Sequence, residues 1–153
     1  STHGARWWLP RFCSSAQTRF LSMNGPVQIV ESFLESISAR DIDAVLAHFA
    51  ADATWQNVPH LRVVGRPNIG AMLGPILARS TEVQWDIVSA SYGDDRAWLE
   101  RVDRFWIDGV EYSVRCNGVF EIDTDAWLIT EVRDYVDLGE WRARLVAAGP
   151  MSS

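Results

Sequence analysis

The stretch Glu100-Arg101-Val102-Asp103-Arg104-Phe105 lies inside a longer run, residues 96–107, whose alternating pattern predicts a β-strand. Side chains along a strand point alternately to its two faces. One face of this strand is mainly apolar and is therefore expected to be buried: Ala97, Leu99, Arg101, Asp103, Phe105 and Ile107. An arginine and an aspartate thus lie side by side in the wall of the core, where charges are costly unless they are paired. This strand alone leaves a structural ion pair and a functional site equally open.

A second predicted strand, residues 127–137, carries another buried carboxylate. Its inward face is expected to hold Leu128, Thr130, Val132, Asp134 and Val136. Two carboxylates close together in a dry pocket do not both ionise easily, so one is suited to act as an acid and the other as a base. An arginine between them would hold both through charge-assisted hydrogen bonds. The two strands together favour a catalytic site over a structural ion-pair network.

The order of elements along the chain predicts a single α+β domain over residues 23–153. Apolar spacing predicts three helices that begin near residues 26, 41 and 67, the third with a kink at Gly74-Pro75. The remaining elements are a short strand at 54–58, four strands at 82–92, 96–107, 110–122 and 127–137, and a closing helix at 139–148. This order is typical of N-terminal helices packed on one face of a curved mixed or antiparallel sheet.

The first 22 residues differ from the rest and are expected to form an N-terminal extension. They contain Arg6, Arg11 and Arg19 but no acidic residue. This composition resembles an organellar transit peptide. Equally, Met23 is a candidate start of the protein, with residues 1–22 coming from elsewhere.

The outward face of the predicted sheet has a different composition. On the strand 96–107 it presents Arg96, Trp98, Glu100, Val102, Arg104 and Trp106. Alternating charges are typical of a solvated face, but tryptophan and arginine together are enriched in the cores of protein interfaces. We therefore expect a homodimer that buries Trp98 and Trp106. The alternative is a pair of partly covered tryptophans on the surface of a monomer.

Composition argues against several classes of function. The net charge of −6 disfavours nucleic-acid binding. Three histidines and two cysteines, without the spacing of a ligand set, disfavour a metal site. No apolar run approaches the ~20 residues that a membrane-spanning helix needs. We therefore expect a cytoplasmic protein without a membrane, nucleic-acid or metal partner.

Three segments resemble a known family when they occur together in this order. They are Trp55-Gln56-Asn57-Val58-Pro59, Glu100-Arg101-Val102-Asp103 and Val132-Arg133-Asp134-Tyr135-Val136-Asp137-Leu138. The set resembles the limonene-1,2-epoxide hydrolase family, within the wider nuclear-transport-factor-2-like (SnoaL-like) fold, over residues 26–145. This resemblance implies a conical α+β barrel with a deep apolar pocket and no metal or organic cofactor.

The resemblance also implies that water opens an epoxide to a vicinal diol in one step, without a covalent enzyme intermediate. Asp134 would be the base that takes a proton from water, and Asp103 the acid that protonates the epoxide oxygen. Arg101 would bridge the two carboxyl groups, and Asn57 would hold the water. Trp55 stands where the family commonly has tyrosine. Because an indole N–H only donates, Trp55 could donate to the water but could not relay a proton.

We expect the substrate to be a bulky apolar epoxide that reacts with water. Inward positions of the strands, the third helix and the closing helix are expected to line its pocket: Met72, Leu73, Leu77, Leu99, Phe105, Tyr112, Cys116, Phe120, Val132, Val136 and Trp141. Two alternatives stay open. One is a cyclase or isomerase of the same fold that acts on a polyketide- or steroid-like substrate. The other is a non-catalytic module that binds a small apolar ligand or pairs with other subunits.

Overall fold

Helices and strands occupy most of residues 25–150, the part of the chain that the computed structural model describes. Its helices are α1 (Pro26–Ser38), α2 (Ile42–Ala47), α3 (Arg66–Arg79) and α4 (Leu138–Val146). Its strands are β1 (Phe49–Val58), β2 (Val63–Val64), β3 (Glu82–Tyr92), β4 (Arg96–Ile107), β5 (Val110–Asp123) and β6 (Leu128–Val136). None of the described helices is long and apolar enough to cross a membrane. The N-terminal extension expected over residues 1–22 lies outside the described residues.

Local sequence explains where three of the helices begin. Pro26 occupies the first turn of α1, where its missing N–H removes no helical hydrogen bond. Asp41 caps α2, because its side chain accepts a hydrogen bond of 3.1 Å from the backbone N of Ala44. Asp137 caps α4 in the same way, with a 2.9 Å bond from the backbone N of Glu140. Asp137 is therefore used structurally, directly after the strand that carries Asp134.

The strands form one mixed sheet of six strands in the order β2-β1-β6-β5-β4-β3. β1 runs parallel to β6, and every other pair of neighbours in this sheet is antiparallel. The predicted antiparallel succession from β3 to β6 is confirmed. The turn between β4 and β5 is tight, with positive φ angles of 51° at Asp108 and 78° at Gly109. Asp-Gly is the turn sequence that such a hairpin favours.

The second helix is shorter, and the first strand longer, than the sequence predicts. β1 begins at Phe49, whereas the sequence pattern predicts a start near Thr54 and assigns Phe49 to the helix. The reason is pairing with β6, which is distant in the chain. The backbone N of Ile129 donates to the carbonyl of His48 at 2.8 Å, and Phe49 pairs with Ile129 in register. Long-range strand pairing overrides apolar spacing that locally fits a helix.

α3 continues across Pro75 to Arg79, in agreement with the predicted helix that contains Gly74-Pro75 in its middle. One short strand was not expected. β2 has only two residues and pairs with Thr54 and Trp55 of β1. A strand of two residues is too short to show a period-two pattern in the sequence, which is why it was not predicted.

An aromatic cluster fills the core between α1 and the inner face of the sheet. Phe33 of α1 lies at its centre, with ring centroids of four other residues 5.6–6.3 Å away: Phe49, Trp55, Trp85 and Phe120. All five side chains are buried. Edge-to-face and tilted contacts of this kind add to the stabilisation from burying apolar area. The core next to the charged residues of β4 is therefore aromatic and closely packed.

The outer face of the sheet carries ion pairs, as its alternating charges predict. Arg104 binds Asp86 at 2.7 Å and Glu111 at 2.5 Å across three neighbouring strands. Trp98 on the same face is 42% exposed, and Trp106 is half-buried. Homodimerisation through these two tryptophans stays a prediction.

Candidate active site

Arg101 on β4 binds two aspartates from two strands at once. Its Nε and Nη2 donate to Oδ1 and Oδ2 of Asp103 at 2.7 and 3.1 Å. Its Nη1 and Nη2 donate to Oδ1 and Oδ2 of Asp134 at 3.1 and 2.7 Å. The planar guanidinium suits two-point contacts of this kind, which fix orientation as well as distance. Strand alternation correctly predicts that all three side chains lie on the inner face, and we call them the ionic cluster.

The ionic cluster is almost completely shielded from solvent. The side chain of Arg101 is 0% exposed, and those of Asp103 and Asp134 are 8% and 6% exposed. The guanidinium carbon lies 4.6 Å from the centroid of the Trp85 ring and 5.8 Å from that of Phe120. Stacking on aromatic faces partly compensates a cation for lost water. Burial and stacking together leave the guanidinium little freedom to move.

Burial separates the acid strengths of the groups in this cluster. It raises the pKa of Asp103 to about 6 against the opposing charge of Arg101, and the charge of Asp134 adds to the increase. Burial acts to lower the pKa of Arg101, but the charges of Asp103 and Asp134 outweigh it and raise that pKa well above its ordinary value. Burial also raises the pKa of the Cys116 thiol. Asp103 is therefore a far weaker acid than an ordinary aspartate, whose pKa is about 3.9.

Gly118 on β5 makes room for the ionic cluster. It is paired in register with Asp134 on one side and with Leu99 on the other. A Cβ atom at this position would overlap Nη1 of Arg101 and would lie 2.7 Å from Oδ1 of Asp134. A glycine inside a strand often marks such a close approach. Any larger residue would have to displace the hydrogen bonds between Arg101 and Asp134.

Gly118→Ala is expected to destabilise the fold by about 1–3 kcal/mol, because overpacking forces fixed side chains from their positions. It should also impair any activity that depends on the ionic cluster. Chemical denaturation would measure the change in free energy of unfolding. Gly93→Ala is the matched control, since the nearest atom to a Cβ there is 3.6 Å away. Equal stability of the two variants would show that the cluster is not held as tightly as its geometry indicates.

Asp103 and Asp134 both line one cavity of about 130 Å³ with a mainly apolar wall. Drug-sized ligands usually occupy sites of ~300–1,000 Å³, so this cavity suits a small ligand. Depressions of about 310 and 360 Å³ lie along the same strands, but neither aspartate lines them. We therefore take the smaller cavity, which contains the perturbed carboxyl group, as the candidate site.

β1 contributes Asn57 and Trp55 to the same cavity. Asn57 is paired in register with Asp134, and its Nδ2 makes only a weak contact, 4.0 Å long, with Sδ of Met72. The amide therefore keeps hydrogen-bonding capacity for a small molecule. Trp55 is 2% exposed, and its ring packs against Phe49 and other members of the aromatic cluster. Trp55 is held mainly by the core, whereas Asn57 is available to the cavity.

Comparison with known proteins identifies the family. A family model described as a SnoaL-like domain matches residues 30–132. The chain belongs to the SnoaL-like domain family. Its α+β architecture is the nuclear-transport-factor-2-like fold expected from the sequence.

This SnoaL-like domain is similar to solved structures that are described as different kinds of protein. An LEH-like epoxide hydrolase from M. tuberculosis is 26% identical, with a TM-score of 0.65 over 80% of this chain and 85% of that one. A candidate polyketide cyclase from Xanthomonas campestris is 23% identical, with a TM-score of 0.64 over 78% and 95%. PrhC from Penicillium brasilianum is 13% identical, with a TM-score of 0.69 over 79% and 87%. The latter two similarities establish the fold only.

The SnoaL-like domain places most, but not all, of the predicted lining residues at the cavity. Six of them line it: Met72, Leu73, Phe105, Cys116, Val136 and Trp141. Five do not: Leu77, Leu99, Tyr112, Phe120 and Val132. Tyr112 is half-buried, and the other four are packed in the core. Strand and helix periodicity identifies the inward side of an element, but it does not distinguish positions facing a cavity from those covered by another element.

Four cavity residues of the SnoaL-like domain were not predicted: Ile76, Trp85, Val114 and Leu138. Three of them carried a usable signal. Ile76 lies one helical turn from Met72 and Leu73 on α3. Trp85 has the inward parity of β3, and Val114 shares its face of β5 with Cys116. Leu138 is the first residue of α4, where a repeating pattern of apolar residues has not yet begun and cannot show which way the side chain points. Gly118 was also missed, although an isolated glycine in a strand pattern indicates a bulge or a close approach.

Proposed function

We propose that this SnoaL-like domain hydrolyses an epoxide to a vicinal diol by one-step general acid–base catalysis. The observation that carries the proposal is the shared arginine: Arg101 holds the weakly acidic Asp103 and the second carboxyl group of Asp134 at one cavity wall. Such a pair, with environments that differ, is the arrangement expected of a proton donor and a proton acceptor. Similarity to an LEH-like epoxide hydrolase at 26% identity supports the assignment.

The proposed reaction gives a separate role to Asp134, Asn57 and Asp103. The Asp134 carboxylate takes a proton from a water molecule that the Asn57 amide orients. The water oxygen attacks one epoxide carbon, and the bond from that carbon to the ring oxygen breaks. Asp103 gives its proton to the departing oxygen, which becomes the second hydroxyl of the diol. Exchange with solvent then removes the proton from Asp134 and returns one to Asp103.

Arg101 acts in this scheme by position and charge. A guanidinium stays protonated at neutral pH, so it holds the two carboxyl groups without acting as a base or relaying a proton between them. Its charge also offsets the anion that forms on Asp103 when the proton leaves. Arg101 would therefore support both steps while remaining covalently unchanged.

The size of the cavity favours a small apolar epoxide in the conformation seen. The bulky substrate expected from the sequence does not match a volume of about 130 Å³. A larger substrate would require movement of a lining side chain, and the half-buried Trp141 is the largest one not enclosed by the core. We therefore propose cyclic epoxides of about six carbons as first substrates.

A cyclase or isomerase is the second candidate function, and Trp55 is the observation that favours it. Indole donates one hydrogen bond and accepts none, so Trp55 cannot share in proton transfer from a water molecule. A base that instead removes a proton from carbon needs no such water. In that case Asp134 would deprotonate carbon next to a carbonyl, and Asp103 would protonate the carbonyl oxygen. Fold similarity to a candidate polyketide cyclase is compatible with this chemistry.

The first experiment is a panel of small epoxides, with diol formation measured by gas chromatography. For any substrate that reacts, one turnover in H₂¹⁸O would test the one-step mechanism. We expect the label in the diol and none in the protein. Label in an aspartate, with unlabelled diol from the first turnover, would indicate a covalent ester. Failure of every epoxide, together with turnover of a ketone substrate, would support the cyclase or isomerase instead.

The pH dependence of kcat/KM provides a further prediction. The acid form of Asp103 is required, and its pKa in the free protein is about 6. Activity is therefore expected to fall as the pH rises through about 6, approaching tenfold per pH unit above it. Initial rates between pH 5 and 9 would measure this limb. The residual activity of Asp103→Asn should lack it, because the amide does not titrate.

Stability gives an independent check on the same carboxyl group. The pKa of Asp103 is higher in the folded protein, about 6, than its ordinary value of about 3.9. The folded state therefore binds the proton more tightly, and stability is lost as the pH rises from about 4 to about 6. The loss at this site is expected to be on the order of 3 kcal/mol. Comparing wild type with Asp103→Asn isolates it from other groups. A pH-independent difference would contradict the assignment.

A further inference from the structure

Trp85 lies at the centre of the candidate site but has no part in the proposed reaction. It is paired in register with Asp103, and its ring covers the guanidinium of Arg101. It lines the cavity and is 8% exposed. Its neighbours on either side are Phe105, with ring centroids 6.3 Å apart, and Trp55, at 6.4 Å. The indole therefore lies beside the reacting groups.

The indole N–H of Trp85 has no hydrogen-bond acceptor. Across residues 25–150 it is the only buried side-chain nitrogen or oxygen atom without a partner. A buried donor left unpaired is costly, and native proteins rarely keep one. Because an indole N–H only donates, its partner must be an acceptor. The indole ring forms part of the cavity wall. Nε1 itself is fully buried, so a ligand oxygen reaches it after a small shift of the ring.

The other polar groups at the cavity are already assigned in the proposed reaction. Asp103 donates to the epoxide oxygen, while Asn57 and Asp134 hold the attacking water. The thiol of Cys116 lies beside Asp134, where burial keeps it protonated. Among the fully buried donors of the cavity wall, Nε1 of Trp85 is left over. A substrate whose only polar atom is the epoxide oxygen would leave this donor unpaired.

We propose that the substrate carries a second, uncharged oxygen, and that the Trp85 N–H donates a hydrogen bond to it. The substrate class is thus an oxygenated epoxide, such as an epoxy alcohol or epoxy ketone, and not a pure hydrocarbon epoxide. This inference rests on the proposed hydrolase function and adds a specificity-determining residue to it. Sites that hydrogen-bond a substrate group discriminate strongly against analogues that lack it.

The test compares cyclohexene oxide with 3,4-epoxycyclohexan-1-ol, which has the same ring and one added hydroxyl. For the wild type, we expect kcat/KM to be about 10- to 100-fold higher for the alcohol, after correction for the rates of uncatalysed hydrolysis. Trp85→Phe keeps an aromatic ring over Arg101 but removes the N–H, so this ratio should fall close to one. Trp141→Phe is the matched control: both rates are free to change, but the ratio should stay high.

Binding provides a second readout that does not depend on turnover. The Nε1–H resonance of Trp85, assigned by triple-resonance NMR in the wild type, should move downfield with cyclohexanol and not with methylcyclohexane. Diol formation from both epoxides, with equal ratios in wild type and Trp85→Phe, would overturn the inference and leave the hydrolase intact. Absence of diol from both of these epoxides and from every epoxide on the panel would overturn the hydrolase. In that case the Nε1–H resonance of Trp85 would still test whether this N–H binds a ligand oxygen. An equal shift with cyclohexanol and with methylcyclohexane would overturn that inference.

Discussion

Asp134→Asn is expected to lower kcat/KM for epoxide hydrolysis by about 10²–10⁴-fold, the usual contribution of a positioned general base. The substitution keeps the shape of the side chain, and its amide oxygen still accepts a hydrogen bond from Arg101. It removes the capacity to take a proton from water. The loss should therefore appear in the rate, with little change in the fold. Diol formation under subsaturating substrate would measure it, and circular dichroism would verify the fold.

Asp108→Asn is a suitable control for this substitution. Asp108 also pairs with an arginine, Arg79, at 2.7 Å, but it lies in the β4–β5 turn and its side chain is 73% exposed. Its replacement should leave kcat/KM unchanged. Near wild-type turnover by Asp134→Asn would exclude Asp134 as the base and would make the proposed mechanism wrong.

Arg101→Leu is expected to cause the largest loss of stability, about 3–5 kcal/mol at pH 7. Removing one partner of a buried ionic network leaves the remaining charges without compensation. Here two carboxyl groups, 8% and 6% exposed, would lose their shared cation. Without it the already raised folded-state pKa of Asp103 rises further, so the stability of the variant should decline as the pH increases from 4 to 7. Urea denaturation at several pH values would measure this trend.

Two further variants make the result specific to the buried cluster. Arg104→Leu also removes an arginine that binds two carboxylates, but Arg104 is 33% exposed, and a surface pair contributes only about 0–1 kcal/mol. Combining Arg101→Leu with Asp103→Asn and Asp134→Asn removes the buried charges altogether. This triple variant should recover part of the lost stability. No recovery would show that Arg101 stabilises the fold by packing and not by charge.

The sequence was most informative where a local rule sets the direction of a side chain. Strand alternation was sufficient to place Arg101, Asp103 and Asp134 on one buried face, and resemblance to a family added Asn57. β4 and β6 both pair with β5, and the contact between Arg101 and Asp134, 33 positions apart in the chain, reaches across that strand. Alternation together with the hairpin turns was sufficient to expect these three strands in one antiparallel sheet. Roles for these residues stay predictions that the experiments above address.

Other parts of the fold depend on contacts that no local pattern records. β1 begins early because it pairs with β6, which is about 80 residues away in the chain. Leu99 and Phe120 point inward as predicted, but the core covers them and excludes them from the cavity. Whether the N–H of Trp85 has a partner depends on the atoms that surround it in the fold. The sequence shows only that the chain has eight tryptophans.

Protonation of Asp103 changes the long-range field of the site. Below about pH 6 the ionic cluster contains one cation and one anion, so its charges sum to zero. A neutral cluster inside an apolar wall exerts little attraction at a distance. Ligands are then captured by contact after they arrive, without electrostatic steering. Because the proposed substrate is also uncharged, its association rate should be almost independent of ionic strength, unlike that of enzymes whose clefts concentrate charged substrates.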